Sequence, residues 1–171
     1  MMKLFTLPDL IQPKLKIVFC GLNPGLGSAK KGHHFMNKSN RFWKVLHLAG
    51  FTDQILEAKN DIDLLNYGYG ITSAVSRATK KASDLSKGEF QKEAKILEKK
   101  ILKNRPVFIA FLGKAAYVEI SGKREIDWGL QDEEFGGAKV WVLPNPSGLN
   151  RNFSLEALVK SYSQLRKKSL K

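Results

Sequence analysis

Residues 15–29 read LKIVFCGLNPGLGSA, a short apolar run followed by a loop rich in glycine, proline and asparagine. The run at 15–20 is rich in β-branched and aromatic residues and stops at a glycine, which is typical of a buried strand. Similar runs lie at 107–112 (VFIAFL) and 139–143 (KVWVL), and 70–75 (GITSAV) is a weaker candidate. Because these runs are nearly continuous rather than alternating, we expect a parallel sheet covered on both faces.

Helical patterns lie between the strand candidates. Residues 40–49 (NRFWKVLHLA) are followed by a glycine suited to a helix C-cap, and residues 86–89 (SKGE) have capping-box spacing at the start of a longer helix. Two more helices are predicted at 114–120 and 154–168. The alternation predicts an α/β fold with right-handed crossovers. The sequence contains no repeat or linker, so we expect one domain over residues 1–171.

Charge is unevenly distributed in this chain. Its 171 residues include 29 Lys and Arg against 16 Asp and Glu, a formal net charge of +13. A field of that sign favours polyanions such as nucleic acid, or an acidic membrane surface. Residues 10–52 contain no acid, and residues 80–103 instead mix lysines with acids, as a solvated helix face does. The acid-free stretch, which we expect to face phosphate, holds seven basic residues: Lys14, Lys16, Lys30, Lys31, Lys38, Arg41 and Lys44.

The composition excludes several kinds of protein. The only cysteine, Cys20, leaves no internal disulfide framework and no cysteine-rich metal site. A single cysteine also fits a reducing compartment. No run approaches the roughly 18 apolar residues that span a bilayer. We therefore expect a cytoplasmic protein.

Two unusual loops follow the first and last strong strand candidates. They are residues 21–29 (GLNPGLGSA), the first loop, and residues 144–151 (PNPSGLNR), the second loop. Ligands of α/β folds bind beyond the carboxyl ends of the strands, so both are candidate binding loops. The first loop matches neither the Walker pattern nor the dinucleotide fingerprint. His33 and His34 have no third ligand at suitable spacing. We therefore expect no nucleotide cofactor and no metal.

These loops, with Phe35 and residues 40–53 (NRFWKVLHLAGFTD), resemble the mismatch-specific uracil/thymine-DNA glycosylases, a branch of the uracil-DNA glycosylase superfamily. The resemblance extends from about residue 15 to the last helix. It implies a three-layer α/β/α sandwich around a short, mainly parallel four-stranded sheet. It also implies a cofactor-free monomer that hydrolyses the N-glycosidic bond of uracil mispaired with guanine in duplex DNA, with thymine and ethenocytosine as further candidates. Such an enzyme flips the base out and initiates base excision repair. When bound to DNA it would be associated with the nucleoid.

The resemblance assigns catalysis to two asparagines. Asn23 would position the attacking water, and Asn145 would stand where strict uracil enzymes carry a histidine. Neither loop contains Asp or Glu. Because an amide cannot take a proton at neutral pH, we expect slower catalysis than in a carboxylate-based relative. The alternative for Asn23 is an Asx-turn before Pro24.

The resemblance also assigns the base pocket. Phe35 would stack on the flipped base, although a lone Phe is more often a core residue. Gly25 and Ser28 would line the C5 side of the pyrimidine, and backbone N–H groups near Leu22 and Phe35 would bind its carbonyl edge. Ser73 stands where relatives carry Lys or Asn, a departure that puts the base preference in question.

DNA contacts are assigned to the remaining positions. Leu149 would enter the space left by the base, and its alternative is ordinary packing against the last helix. Gly27 and Asn150 depart from serines that are common in relatives. The residues expected to contact the backbone or form the wedge are Lys30, Lys31, Ser147, Gly148, Leu149 and Arg151.

Two other functions remain open at this stage. The same fold could act on another deaminated base, hypoxanthine or xanthine. Alternatively, the chain could bind lesions without cleaving them. Membrane-surface binding by the basic tail is weaker than either, because no amphipathic helix has an interfacial aromatic face.

Overall fold

The computed structural model describes residues 5–171, which form a five-stranded sheet flanked by helices. The strands are β1 (Ile17–Gly21), β2 (Tyr69–Ser73), β3 (Phe108–Leu112), β4 (Gly129–Phe135) and β5 (Ala138–Leu143), in the order β2-β1-β3-β5-β4. Four strands are parallel, and β4 pairs antiparallel with β5 at the edge. The α/β class and the mainly parallel sheet are confirmed.

The predicted number of strands, four, is wrong because β4 was missed. Its sequence, GLQDEEF, is polar and mostly exposed, so it lacks the apolar run of the buried strands. β4 joins β5 through Gly136 and Gly137, both with positive φ, at 56° and 81°. A two-residue Gly-Gly connection is a strong hairpin signal, because the favoured turns need φ > 0. That signal was present in the sequence.

The four predicted helices are confirmed with shifted ends. They are α2 (Phe42–Leu48), α3 (Lys87–Asn104), α4 (Lys114–Ser121) and α5 (Leu155–Ser169). The capping box of α3 is present, since Ser86 Oγ accepts from Glu89 N while Glu89 accepts from Ser86 N. The sequence did not predict α1 (Leu26–Lys31) or the 3-10 segments Ala58–Tyr67 and Ala82–Asp84.

Both faces of the sheet are buried, which explains the continuous apolar runs. Along β1, Ile17 and Phe19 enter one cluster with α2 and α5, whereas Val18 and Cys20 enter a second cluster with α3 and α4. The expected helix–sheet–helix layering follows from these two clusters. In the described part of the chain, no helix is both long and apolar enough to cross a bilayer.

The topology brings the two loops together. β1, β3 and β5 are adjacent parallel strands, so their carboxyl ends lie at one edge of the sheet. The first loop follows β1 and the second loop follows β5. β2 ends at Ser73, which pairs with Gly21 at the same edge.

Candidate active site

A cavity of about 250 Å³ opens between the two loops at this edge. That volume is somewhat below the roughly 300 Å³ and above of drug-sized ligand sites and suits a single nucleobase. Eight of the predicted site residues line it: Leu22, Asn23, Gly25, Ser28, Phe35, Ser73, Asn145 and Ser147. The other five, Lys30, Lys31, Gly148, Leu149 and Arg151, lie outside the lining.

The Asn23 amide is held by residues distant in the chain. Its Nδ2 donates to the Arg77 carbonyl at 2.9 Å and to Thr79 Oγ1 at 2.8 Å. Thr79 donates its own hydroxyl proton to the Lys81 carbonyl at 2.8 Å, so its oxygen acts as the acceptor toward Asn23. Both contacts therefore require nitrogen at this position. Oδ1, which can accept a hydrogen bond from water, lies on the other side of the amide. No backbone N–H among residues 5–171 donates to this oxygen, so the Asx-turn alternative is wrong.

The support for Asn23 continues into the start of α3. The Arg77 guanidinium pairs with both carboxylate oxygens of Glu89, at 2.6 and 3.0 Å, and donates to the Asp84 carbonyl at 2.9 Å. Arg77, together with the Ser86 N–H, lowers the pKa of Glu89 to about 2. Glu89 thus stays ionised at neutral pH, and its pair with Arg77 ties the carbonyl that holds Asn23 to a helix terminus.

Given the role that the resemblance assigns to Asn23, a Thr79→Val variant should lower single-turnover base release by about five- to tenfold. Valine fills the same space but cannot accept from Nδ2, and a neutral hydrogen bond contributes about 1 kcal/mol. DNA affinity and melting temperature should stay near wild type, and Thr79→Ser should restore the rate. The measurement is a rapid-quench time course with enzyme in excess. A Thr79→Val variant as fast as wild type would contradict this role.

Asn145 is oriented by its own loop. Its Oδ1 accepts from Ser147 N at 2.9 Å, and its Nδ2 donates to no residue among 5–171. The free N–H groups can therefore donate to a ligand in the cavity. Gly113 lies behind this side chain at φ +105°, where an added Cβ would come within 3.4 Å of Asn145 Cβ.

Phe35 is held in a strained position beside the cavity. Its φ is +54°, and such a conformation costs a non-glycine residue about 1–3 kcal/mol. Bonds on both sides fix it: His34 N donates to Asp61 and Met36 N donates to Ser28 Oγ, at 2.7 and 3.1 Å. Its ring stacks on Phe42 with centroids 4.2 Å apart. Phe35 is half-buried and lines the cavity, so it is not simply a core residue.

His34 is the one titratable side chain among the described residues that line the cavity. Burial lowers its pKa, so it is neutral at pH 7. Its Nε2 lies 2.8 Å from the Pro8 carbonyl, a contact that requires the proton on Nε2 and leaves Nδ1 as an acceptor. Apart from its position next to Phe35, nothing in the sequence indicated that His34 lines the cavity.

Small residues leave room on one side of the cavity. No atom lies within 4 Å of a Cβ added to Gly25 or to Gly27. Ser28 is fixed by its bond from Met36 N. This open side is where the C5 substituent of a pyrimidine was expected, and Ser73 borders the cavity at the end of β2.

The second loop presents Leu149 to solvent. Its side chain is 91% exposed, so the alternative of packing against the last helix is wrong. Gly148 sits tightly beside it, since an added Cβ would lie 2.6 Å from the Ser39 carbonyl. Arg151 is also exposed, at the end of the same loop.

The predicted cations are placed differently from one another. Lys31 and Lys80 line a cleft of about 350 Å³ that shares Gly25 and Ser28 with the cavity. Lys30, which precedes Lys31 in the chain, does not line this cleft. Its Nζ lies 5.7 Å from the centre of the Phe5 ring. The prediction that Arg41 faces phosphate is wrong, because its donors are used by the second loop.

Among residues 5–171, no three His, Cys, Asp or Glu side chains gather in a way that could hold a metal.

The fold and the site together define the class of protein. It is an α/β protein whose two loops enclose a cavity of the size of a nucleobase. No carboxylate of the described residues lines this cavity, and cations and an exposed leucine lie at its border. The family model of the uracil DNA glycosylase superfamily matches residues 8–167, and the chain belongs to this superfamily. It is accordingly a DNA glycosylase, a hydrolase with DNA as its substrate.

A solved structure has the same fold. It is the solution NMR structure of a "putative Uracil DNA glycosylase" from Methanosarcina acetivorans, 20% identical, with a TM-score of 0.62. The match covers 95% of this chain and 98% of that one.

Proposed function

We propose that this chain is a monofunctional, mismatch-specific uracil-DNA glycosylase that removes uracil opposite guanine from duplex DNA. The observation that carries the proposal is the anchored amide of Asn23, whose nitrogen is committed to Arg77 and Thr79. An amide fixed in this way presents an acceptor oxygen for water beside the ring of Phe35 and the free N–H groups of Asn145. The enzyme would work as a cytoplasmic monomer.

In this mechanism the flipped base stacks on Phe35, and Asn145 donates to one of its carbonyl oxygens. The bond between C1′ and the base nitrogen breaks, and its electron pair leaves with the base. Asn145 Nδ2 stabilises the negative charge that develops there. Water held by Asn23 Oδ1 adds to the cationic C1′, and its proton passes to the departed base or to solvent.

Two features of the lining support hydrolysis by oriented water. No Asp or Glu lines the cavity in the described part of the chain, so positioning outweighs general-base catalysis. No lysine among residues 5–171 lines it either, which disfavours attack on C1′ by an amine and supports a monofunctional reaction.

The space beside Gly25 supports a broader choice of base. An open C5 side admits the methyl group of thymine. Ser73, which is shorter than Lys or Asn, adds no bulk at the end of β2. Thymine opposite guanine is therefore a further proposed substrate, and ethenocytosine opposite guanine, which the resemblance implies, is another.

An oligonucleotide nicking assay tests the proposal. The substrates are G·U, A·U, G·T and G·ethenocytosine duplexes, single-stranded uracil, and duplexes holding inosine or xanthosine. We expect fastest release from G·U. Release only from inosine or xanthosine would reassign the enzyme to another deaminated base. Lesion-dependent binding without any abasic product would instead identify a non-catalytic module.

Neutralising cations near the cavity should flatten the salt dependence of DNA binding. Lys31→Gln or Arg151→Gln should each reduce the slope of log K against log salt concentration by about 1, if each contacts one phosphate. Lys95→Gln and Lys99→Gln, on α3, are the matched controls and should leave the slope unchanged. Fluorescence anisotropy between 50 and 300 mM salt measures it. Equal slopes for all four variants would contradict this footprint.

A further inference from the structure

Arg41, immediately before α2, is bound almost entirely to the second loop. Its guanidinium donates to four backbone carbonyls: Pro146 at 3.3 Å, Phe153 at 2.7 Å, Ser147 at 2.9 Å and Asn150 at 3.0 Å. Its backbone N–H also donates to the Pro146 carbonyl, at 3.0 Å. A single side chain thus holds carbonyls over eight residues, from residue 146 in the second loop to residue 153, two residues beyond its end.

Apart from the close approach of Gly148 to Ser39, few other contacts hold the tip of the second loop. Leu149 is 91% exposed and contributes no packing of its own to the core. The remaining bonds lie mostly within the loop, including Asn150 Nδ2 to the Asn145 carbonyl and Leu149 N to Ser147 Oγ, at 3.0 and 3.2 Å. Tyr162 fixes only the start of the loop, by donating to the Pro144 carbonyl at 2.9 Å.

We infer that Arg41 is a positioning residue that keeps the second loop, called the wedge loop because it carries Leu149, in the shape needed to open a base pair. The inference rests on the proposed function and names a part of its machinery. Ordering a flexible loop costs backbone conformational entropy at each residue. A loop that is ordered before DNA binds does not incur that cost while the base is being extruded. Arg41 acts through Leu149 and Asn145 and contacts no base.

The geometry requires arginine rather than any cation. A guanidinium carries five N–H donors in a planar fork, and here they reach four separate carbonyls. A lysine ammonium keeps the charge, but its three donors radiate from one atom and cannot span carbonyls along eight residues. Arg41→Lys therefore separates loop shape from charge.

The test measures base extrusion directly. A duplex holds a 2′-fluorinated, uncleavable uridine opposite guanine, with 2-aminopurine beside it to report unstacking. With saturating wild-type protein we expect a large rise in fluorescence. Arg41→Lys and Arg41→Met should shift the extrusion equilibrium by at least fivefold toward the stacked state. Lys99→Met, which removes an exposed charge from α3, is the control and should match wild type.

Two further readouts distinguish positioning from folding. Affinity for undamaged duplex should remain within about twofold for Arg41→Lys, and base release from unpaired uracil should fall less than release from G·U duplex. If Arg41→Met fails to fold, Arg41→Lys still decides the question. Equal extrusion by wild type and Arg41→Lys would overturn the inference. A wild-type protein that neither extrudes nor cleaves would instead overturn the proposed function.

Discussion

Replacing Asn23 with alanine should reduce single-turnover release of uracil from a G·U duplex by about a hundredfold or more. Alanine leaves nothing to orient the attacking water, and a displacement of a reacting group by about 1 Å can cost about a hundredfold in rate. Affinity for the duplex should stay within about tenfold, because a water-orienting residue contributes mainly in the transition state. The rate is measured with enzyme in excess, and the affinity by anisotropy with an uncleavable duplex.

The control for this prediction is Asn104→Ala. Asn104 ends α3 far from the cavity, and its Nδ2 bonds only the Lys100 carbonyl one turn back. It should cleave at the wild-type rate. Parallel losses of binding, activity and melting temperature in Asn23→Ala would mean that Asn23 supports the fold rather than the reaction.

The sequence predicted those strands of the sheet whose burial requires a run of apolar residues. Strands β1, β3 and β5 are apolar on both faces because helices cover both faces, and such runs can be recognised without neighbours. β4 is an edge strand with polar, exposed residues and has no such mark. α1 was missed because its six residues include a glycine and follow a proline-glycine turn.

The same distinction applies to the cavity. The two loops stood out because glycine, proline and asparagine cluster at strand ends. That reasoning and the resemblance together selected the eight predicted site residues that line the cavity. Thr79 and Arg77 did not stand out. They lie 56 and 54 residues from Asn23, and a threonine or a backbone carbonyl has no special appearance in a sequence.

Arg41 shows the limit of reasoning from charge. A basic residue in an acid-free stretch predicts phosphate contact, yet the guanidinium of Arg41 is used inside the protein. A formal net charge counts the basic side chains but does not show which of them form hydrogen bonds inside the protein. The same +13 therefore contains cations of different kinds: Lys31 and Arg151 on the surface near the cavity, Arg77 paired with Glu89, and Arg41 within the wedge loop support.

Replacing Leu149 with alanine should reduce release of uracil from G·U duplexes by about 10- to 100-fold. Unstacking a base step costs a few kcal/mol, and a leucine that enters the gap offsets part of that cost. Fully burying a leucine side chain is worth about 1.5–3 kcal/mol, of which alanine keeps only a fraction. Because Leu149 is 91% exposed in the free protein, its removal should leave the melting temperature unchanged.

The effect should depend on how firmly the uracil is paired. Release from single-stranded or looped uracil needs no base pair to be opened, so Leu149→Ala should lose no more than about threefold there. Leu102→Ala, at a residue 62% exposed on α3, is the matched control and should behave as wild type on every substrate. An equal loss on paired and unpaired uracil would place Leu149 in base binding rather than in duplex opening. Wild-type activity on both would mean that backbone contacts alone extrude the base.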